Sequence, residues 1–260
     1  MSARPISAAT ISFGLVSVPV KLYASGESGR KVSFNLLHKD CGTRLKQQYI
    51  CPKENETVER ADFVKGYEFS KGKYVVFTAE ELKTLEAQAT HSIDITEFVP
   101  ADQVDRIYLD KVYYLGPDKG GERAYRLLSA ALKETNRVAI AKYAARGKQY
   151  LVMVRPNDEG LILEQLLYPD EVKQFSEVPL GEGEVKPEEL KLALQLIEQA
   201  SSDEFHPENY TDEVRARMLE LIQQKVDGEE ITVASVEEPK TQIIDLMAAL
   251  KASLGEKKAS

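Results

Sequence analysis

Two short half-sites hold the side chains best suited to grip a metal: His38-x-x-Cys41 and Cys51-Pro-Lys-Glu54. Pairs of ligands three residues apart, repeated across a turn, are what a ribbon-type zinc site uses. The fourth position is Glu54, a poorer companion for zinc in a sulfur-rich set. The same residues also read as a surface turn carrying two free thiols. No metal and no cofactor is assigned. Other chemistry is thinly represented. There is no G-x-x-x-x-G-K-[ST] phosphate loop, no G-x-G-x-x-G and no G-x-S-x-G elbow. His38, His91 and His206 are far apart and form no H-x-x-x-H pair. Acidic pairs such as Glu80-Glu81 and Asp102/Asp105 fall on predicted helix or loop surfaces. The residues therefore point away from an enzyme, with no catalytic residue to nominate.

Charge is the more informative chemistry. The whole chain is acidic, net −8. Residues 111–155 nevertheless carry ten Lys/Arg against three acids, net +7, whereas residues 161–260 carry ten against 22, net −12. Such asymmetry hints at contact with nucleic acid or a membrane surface, and a merely solvated basic surface is the alternative. Lys142, Arg146 and Lys148 surround one predicted hairpin tip, and Lys65, Lys71 and Lys73 another. Lysines and arginines without base-reading partners give sequence-independent, salt-sensitive binding. Tyr67, Tyr74, Tyr143 and Tyr150 fall within the arms rather than at the tips, so the pattern favours duplex backbone over unpaired bases.

The elements that must position these residues are mostly short strands. Residues 10–23 read as strand, bend, strand, broken at Gly14, with Pro19 favouring an edge or bulge. Residues 31–37 alternate as a short strand, and 38–60 are polar and turn-rich. A hairpin follows over 65–77 around Ser70-Lys71-Gly72. Thr78 and Glu81 form a capping box that opens a helix. Strands at 92–99 and 110–115 precede an amphipathic helix over 121–134, with Tyr125, Leu128, Ala131 and Leu132 on one face. A hairpin over 137–154, turning at Arg146-Gly147, and a strand over 161–167 complete seven or eight strands and two helices, the signature of a β-barrel or sandwich. Beyond Pro169 the texture changes to helices over 186–200, with Leu190, Leu194 and Ile197 buried, and over 211–225, with Val214, Met218, Leu221 and Ile222 on one face. Residues 228–240 read as disordered. A short helix over 241–254 presents Ile243, Leu246, Met247 and Leu250 to a partner. No export signal and no apolar run long enough to span a membrane is visible, and two cysteines suit a reducing cytoplasm.

Four blocks carry a family resemblance: ISFGLVSVPVKLY (11–23), FVKGYEFSKGKYVVF (63–77), FHPENYTDEVRARMLELIQQK (205–225) and IIDLMAALKASL (243–254). Together, in this order, they resemble the prokaryotic Ku proteins. The resemblance implies a mainly β fold with helices: a Ku-type β-barrel with a long hairpin bridge over 1–180, a helical arm over 181–228, and a linker with a ligase-recruiting helix over 229–260. It implies a homodimeric, non-catalytic ring on double-stranded DNA ends in non-homologous end joining, associated with the nucleoid, with ATP-dependent DNA ligase D as partner and no membrane contact. Lys31, Arg44, Lys46, Lys65, Lys71 and Lys73 would belong to the bridge over DNA, and Lys142, Arg146 and Lys148 to the barrel hairpin. Only Lys257 and Lys258 follow the last block, so the Lys-rich tail of many members is not carried over. Glu54 stands where a ligand Cys would, so neither is a metal site. A β-barrel RNA-binding or adaptor protein, preferring single strands, is the alternative function, and a hydrolase with an assembled carboxylate site is a third.

Overall fold

The computed structural model describes residues 3–26, 32–86, 91–145 and 148–228, together with positions 247, 249, 250 and 253. The chain divides into two compact units, Met1–Ser28 with Asn35–Phe175, and Gly29–Phe34 with Ser176–Ser260.

The first unit is built on a closed seven-stranded barrel. Its strands are β1 (Ser7–Phe13), β2 (Val16–Ala24), β7 (Ser92–Pro100), β8 (Leu109–Pro117), β9 (Arg137–Ala145), β10 (Lys148–Pro156) and β11 (Leu161–Leu166). The order around the barrel is β1-β2-β8-β11-β10-β9-β7. Only the closing β1–β7 pair is parallel; the other pairs are antiparallel. Closure removes the exposed sheet edges that an open sheet would present. Alternation along each strand sends Ile11, Val18, Val20, Ile93, Ala141, Val154 and Leu163 into the lumen, where they are fully or almost fully buried. Gly14, at φ +57, makes the turn from β1 to β2. Pro19 lies opposite Thr10 of β1, just beyond the point where the β2–β8 ladder ends at Val20. It therefore occupies a local edge, and its carbonyl accepts the Asp118 N–H at 2.9 Å.

Helix α2 (Glu122–Thr135) buries Tyr125, Leu128 and Leu132 against this core. Ala131, expected on the same face, stays exposed. Asn136 ends the helix in the left-handed conformation, φ 50, with its N–H directed to the last carbonyls.

Between β2 and β7 the chain makes an excursion with no core of its own. It contains two small hairpins, β3–β4 (Tyr49–Cys51 with Glu56–Val58) and β5–β6 (Lys65–Ser70 with Lys73–Phe77), then helix α1 (Ala79–Glu86). The unit thus holds eleven strands among the described residues, more than the sequence suggested, because β3 and β4 are three residues each. The expected strand over 31–37 does not form; Leu37 makes one isolated bridge to Arg44. Its alternating Phe34 and Leu36 have no sheet or core to lie on, and each is 71% exposed. The capping box at α1 does form: Glu81 accepts the Thr78 N–H at 2.8 Å and donates its own N–H to the Thr78 hydroxyl at 3.2 Å. That backbone donor holds the Glu81 carboxyl below its usual range.

The second unit contains α3 (Pro187–Ala200) and α4 (Glu213–Val226). Pro187 opens α3, where its missing N–H costs nothing, and the Asp212 side chain caps α4 by accepting the Arg215 N–H at 2.9 Å. Leu190, Leu194 and Ile197 are not buried as expected but 50%, 56% and 63% exposed. The stripe has helical spacing, but no described element covers it. The expected disordered stretch 228–240 falls outside the described residues, Gly228 excepted.

Candidate nucleic-acid interface

The β9–β10 hairpin shows how the barrel aims its cations. Inward Ala141, Tyr143 and Ala145 force Lys142 outward on β9. Lys142 lies opposite Leu151 of β10 and Asp94 of β7. Lys148 lies opposite Ala145 at the last pair before the turn. The two lysines therefore share one ribbon, separated by about 10 Å along it at three residues' rise. Arg146, between the two strands in sequence, lies outside the described residues.

The β5–β6 hairpin presents a second group. Lys71 occupies the turn beside Gly72, which takes φ +75, and the Glu68 carboxylate accepts the Gly72 N–H at 2.7 Å. Lys73 pairs with Ser70 beside that turn, but Lys65 pairs with Phe77 at the opposite end of the ribbon. Lys65 is thus at the base and not around the tip, because the ribbon is longer than the spacing of its lysines suggests. Arg44 and Lys46 are exposed between Leu37 and β3, and Lys31 lies outside the described residues. The two hairpins belong to separate sheets.

Pairing separates structural cations from available ones. Lys21 meets Asp118 at 2.7 Å, Lys133 meets Asp158 at 3.0 Å and Arg155 meets the buried Glu164 at 2.8 Å. The Asp118 carboxylate raises the Lys21 pKa, and its own carboxyl is held down by Lys21 and by the Lys119 N–H. By contrast, Arg44, Lys46, Lys65, Lys71, Lys73, Lys142 and Lys148 have no carboxylate within 4.0 Å among the described residues. Their charge is left for solvent or an anion. The sequence could not sort these two classes, since the partners are 9 to 97 positions away.

The metal-like motif forms a local turn. His38 Nδ1 lies 3.3 Å from Cys41 Sγ, and Thr43 lies 3.3 Å from the same sulfur and lowers the thiol pKa from its usual value. Cys51 sits on β3 opposite Glu56. Among the described residues no three or more His, Cys, Asp or Glu side chains gather as a metal would need. At the C-terminus, Met247 and Leu250 are helical and half-buried, while Ile243 and Leu246 lie outside the described residues. No helix among the described residues is long and apolar enough to cross a membrane.

This barrel and its excursion have known counterparts. A family model described as the Ku70/Ku80 beta-barrel domain matches residues 12–192. A protein of Paraburkholderia phymatum named "Non-homologous end joining protein Ku" is 46% identical over 257 residues, covering 98% of this chain and 83% of its own. Proteins of the same name from Archaeoglobus fulgidus and Bacillus subtilis are 42% and 36% identical, covering 94% of this chain in each case and 96% and 79% of their own. With the family model spanning more than half the chain and relatives this similar over nearly all of it, the chain belongs to the Ku β-barrel family.

Proposed function

We propose that this chain binds the ends of double-stranded DNA as a homodimeric ring in break repair by non-homologous end joining, without catalysing a reaction itself. The observation that carries this reading is the excursion over 32–84. None of its described residues is buried, yet it exposes Leu36, Val64, Tyr67 and Phe69, and it carries Lys71 and Lys73, which have no carboxylate partner among the described residues. Apolar surface on this scale marks an interaction face. A second copy would cover the apolar side, and phosphates would neutralise the lysines. The names of the relatives support the same process. On this reading Lys31, Arg44, Lys46, Lys65, Lys71, Lys73, Lys142, Arg146 and Lys148 contact phosphate. Ile243, Leu246, Met247 and Leu250 form the face that recruits and stimulates ATP-dependent DNA ligase D. The test is a competition between linear and covalently closed circular duplex of one sequence. The expected result is strong preference for the linear form; equal binding to both contradicts end recognition.

A further inference from the structure

One mouth of the barrel opens into a cavity of about 190 Å³ that no assigned role uses. Three strand pairs build it. Tyr143 and Tyr150 face each other across β9–β10, with ring centroids 6.2 Å apart and planes 35° from parallel. Tyr113 of β8 and the cross-strand neighbours Lys111 and Gln165 of β8–β11 supply another wall. His91 closes the rim at the start of β7. Its backbone is fixed in the left-handed region at φ 51, with its N–H donated to the Ala144 carbonyl and its own carbonyl accepting from Thr10, both at 3.1 Å.

The hydrogen-bonding capacity here is unspent. The buried Tyr125 hydroxyl is satisfied twice by backbone, but the Tyr113, Tyr143 and Tyr150 hydroxyls have no protein partner among the described residues. Nor does the His91 ring. Gln165 donates one amide hydrogen to Asp110 at 2.9 Å, leaving its carbonyl free to accept. Aromatic faces with free donors and acceptors at their edges suit a planar, polar heterocycle. The volume lies below the roughly 300–1,000 Å³ of sites for drug-sized ligands, so it fits one ring system and not a dinucleotide. On the same ribbon Lys142 points outward, whereas Lys148, paired with the inward Ala145 at the cavity's own wall, shares the cavity's face by register.

We propose that this barrel mouth holds an unpaired nucleobase from the terminus of a bound DNA end, stacked on the tyrosines and hydrogen-bonded by Gln165 and His91. Base–aromatic stacking tolerates any base, so the site would sense fraying or an overhang without reading sequence. The assignment to DNA ends rests on the proposed end-binding function; the preference for a nucleobase rests on the cavity alone.

The experiment uses the full chain and 2-aminopurine, whose fluorescence falls on stacking, in two arms. In the first, 2-aminopurine deoxyribonucleoside monophosphate is titrated without duplex. In the second, the same base forms a one-nucleotide overhang on a linear duplex, with a blunt duplex as reference. Quenching is expected in both arms. Tyr150→Leu and Tyr113→Leu, at half-buried positions, should each weaken the overhang's advantage over blunt duplex about tenfold, with blunt affinity and melting temperature kept. Absence of quenching in both arms overturns the base site. Binding of the monophosphate with no quenching of the duplex-linked base overturns the assignment to DNA ends. If no linear duplex binds at all, the end-binding reading fails, while quenching of the monophosphate that the Tyr→Leu changes abolish still upholds the nucleobase site.

Discussion

Tyr125 shows how one side chain ties the helix to the barrel. From α2 its hydroxyl donates to the Leu115 carbonyl of β8 at 2.6 Å and accepts the Leu161 N–H of β11 at 2.7 Å. Burial raises the phenol pKa, so the neutral form that can donate is the one held. Gly160 is bare beside it, since a Cβ there would collide with the same hydroxyl. Tyr125→Phe leaves a buried N–H and a buried C=O unpaired. It should cost about 1–3 kcal/mol in equilibrium denaturant unfolding. A loss below a few tenths would mean that water takes the hydroxyl's place. The periodicity of α2 places Tyr125 on the buried face, but nothing local identifies its two backbone partners, 10 and 36 residues away. The same limit hid the Arg155–Glu164 pair and the meeting of Tyr113 and His91 with the Tyr143–Tyr150 pair at the barrel mouth, which depends on strands distant in sequence.

At the scale of elements, legibility followed how local the determining physics is. The β5–β6 hairpin and the α1 cap were visible because turn glycine, alternation and the T-x-x-E box act within a few residues. Residues 32–36 alternate just as well but form no strand, because pairing needs a partner edge that alternation does not report. Helix α3 forms where its periodicity and first-turn proline predict it, yet its stripe is exposed and not buried, because an amphipathic face records only that something apolar should cover it. The β9–β10 hairpin gives the element-scale prediction. Lys142, Arg146 and Lys148 changed together to Glu should weaken binding to duplex ends. The log–log salt slope should flatten by about 0.9 for each phosphate that is no longer neutralised. An unchanged slope, measured by titration at several salt concentrations, removes this hairpin from the interface.

Over the whole molecule, the charge imbalance resolves into paired and unpaired classes. Within 111–155, Lys111, Lys133 and Arg155 have carboxylates close by, whereas Lys142 and Lys148 have none among the described residues. The acidic final third contributes helices α3 and α4, whose apolar positions stand open, and the segment proposed to meet the ligase. Removing residues 241–260 should leave end binding intact and abolish stimulation of ATP-dependent DNA ligase D in a joining assay; unchanged stimulation would remove the partner role from that segment. The central claim, that two copies encircle a DNA end, is tested most directly by trapping. The protein is loaded onto linear duplex, the ends are sealed into a closed circle, and the complex is challenged with high salt. A ring held by topology should stay on the closed circle and leave when the circle is cut. Release from the closed circle as fast as from the linear duplex would contradict encirclement.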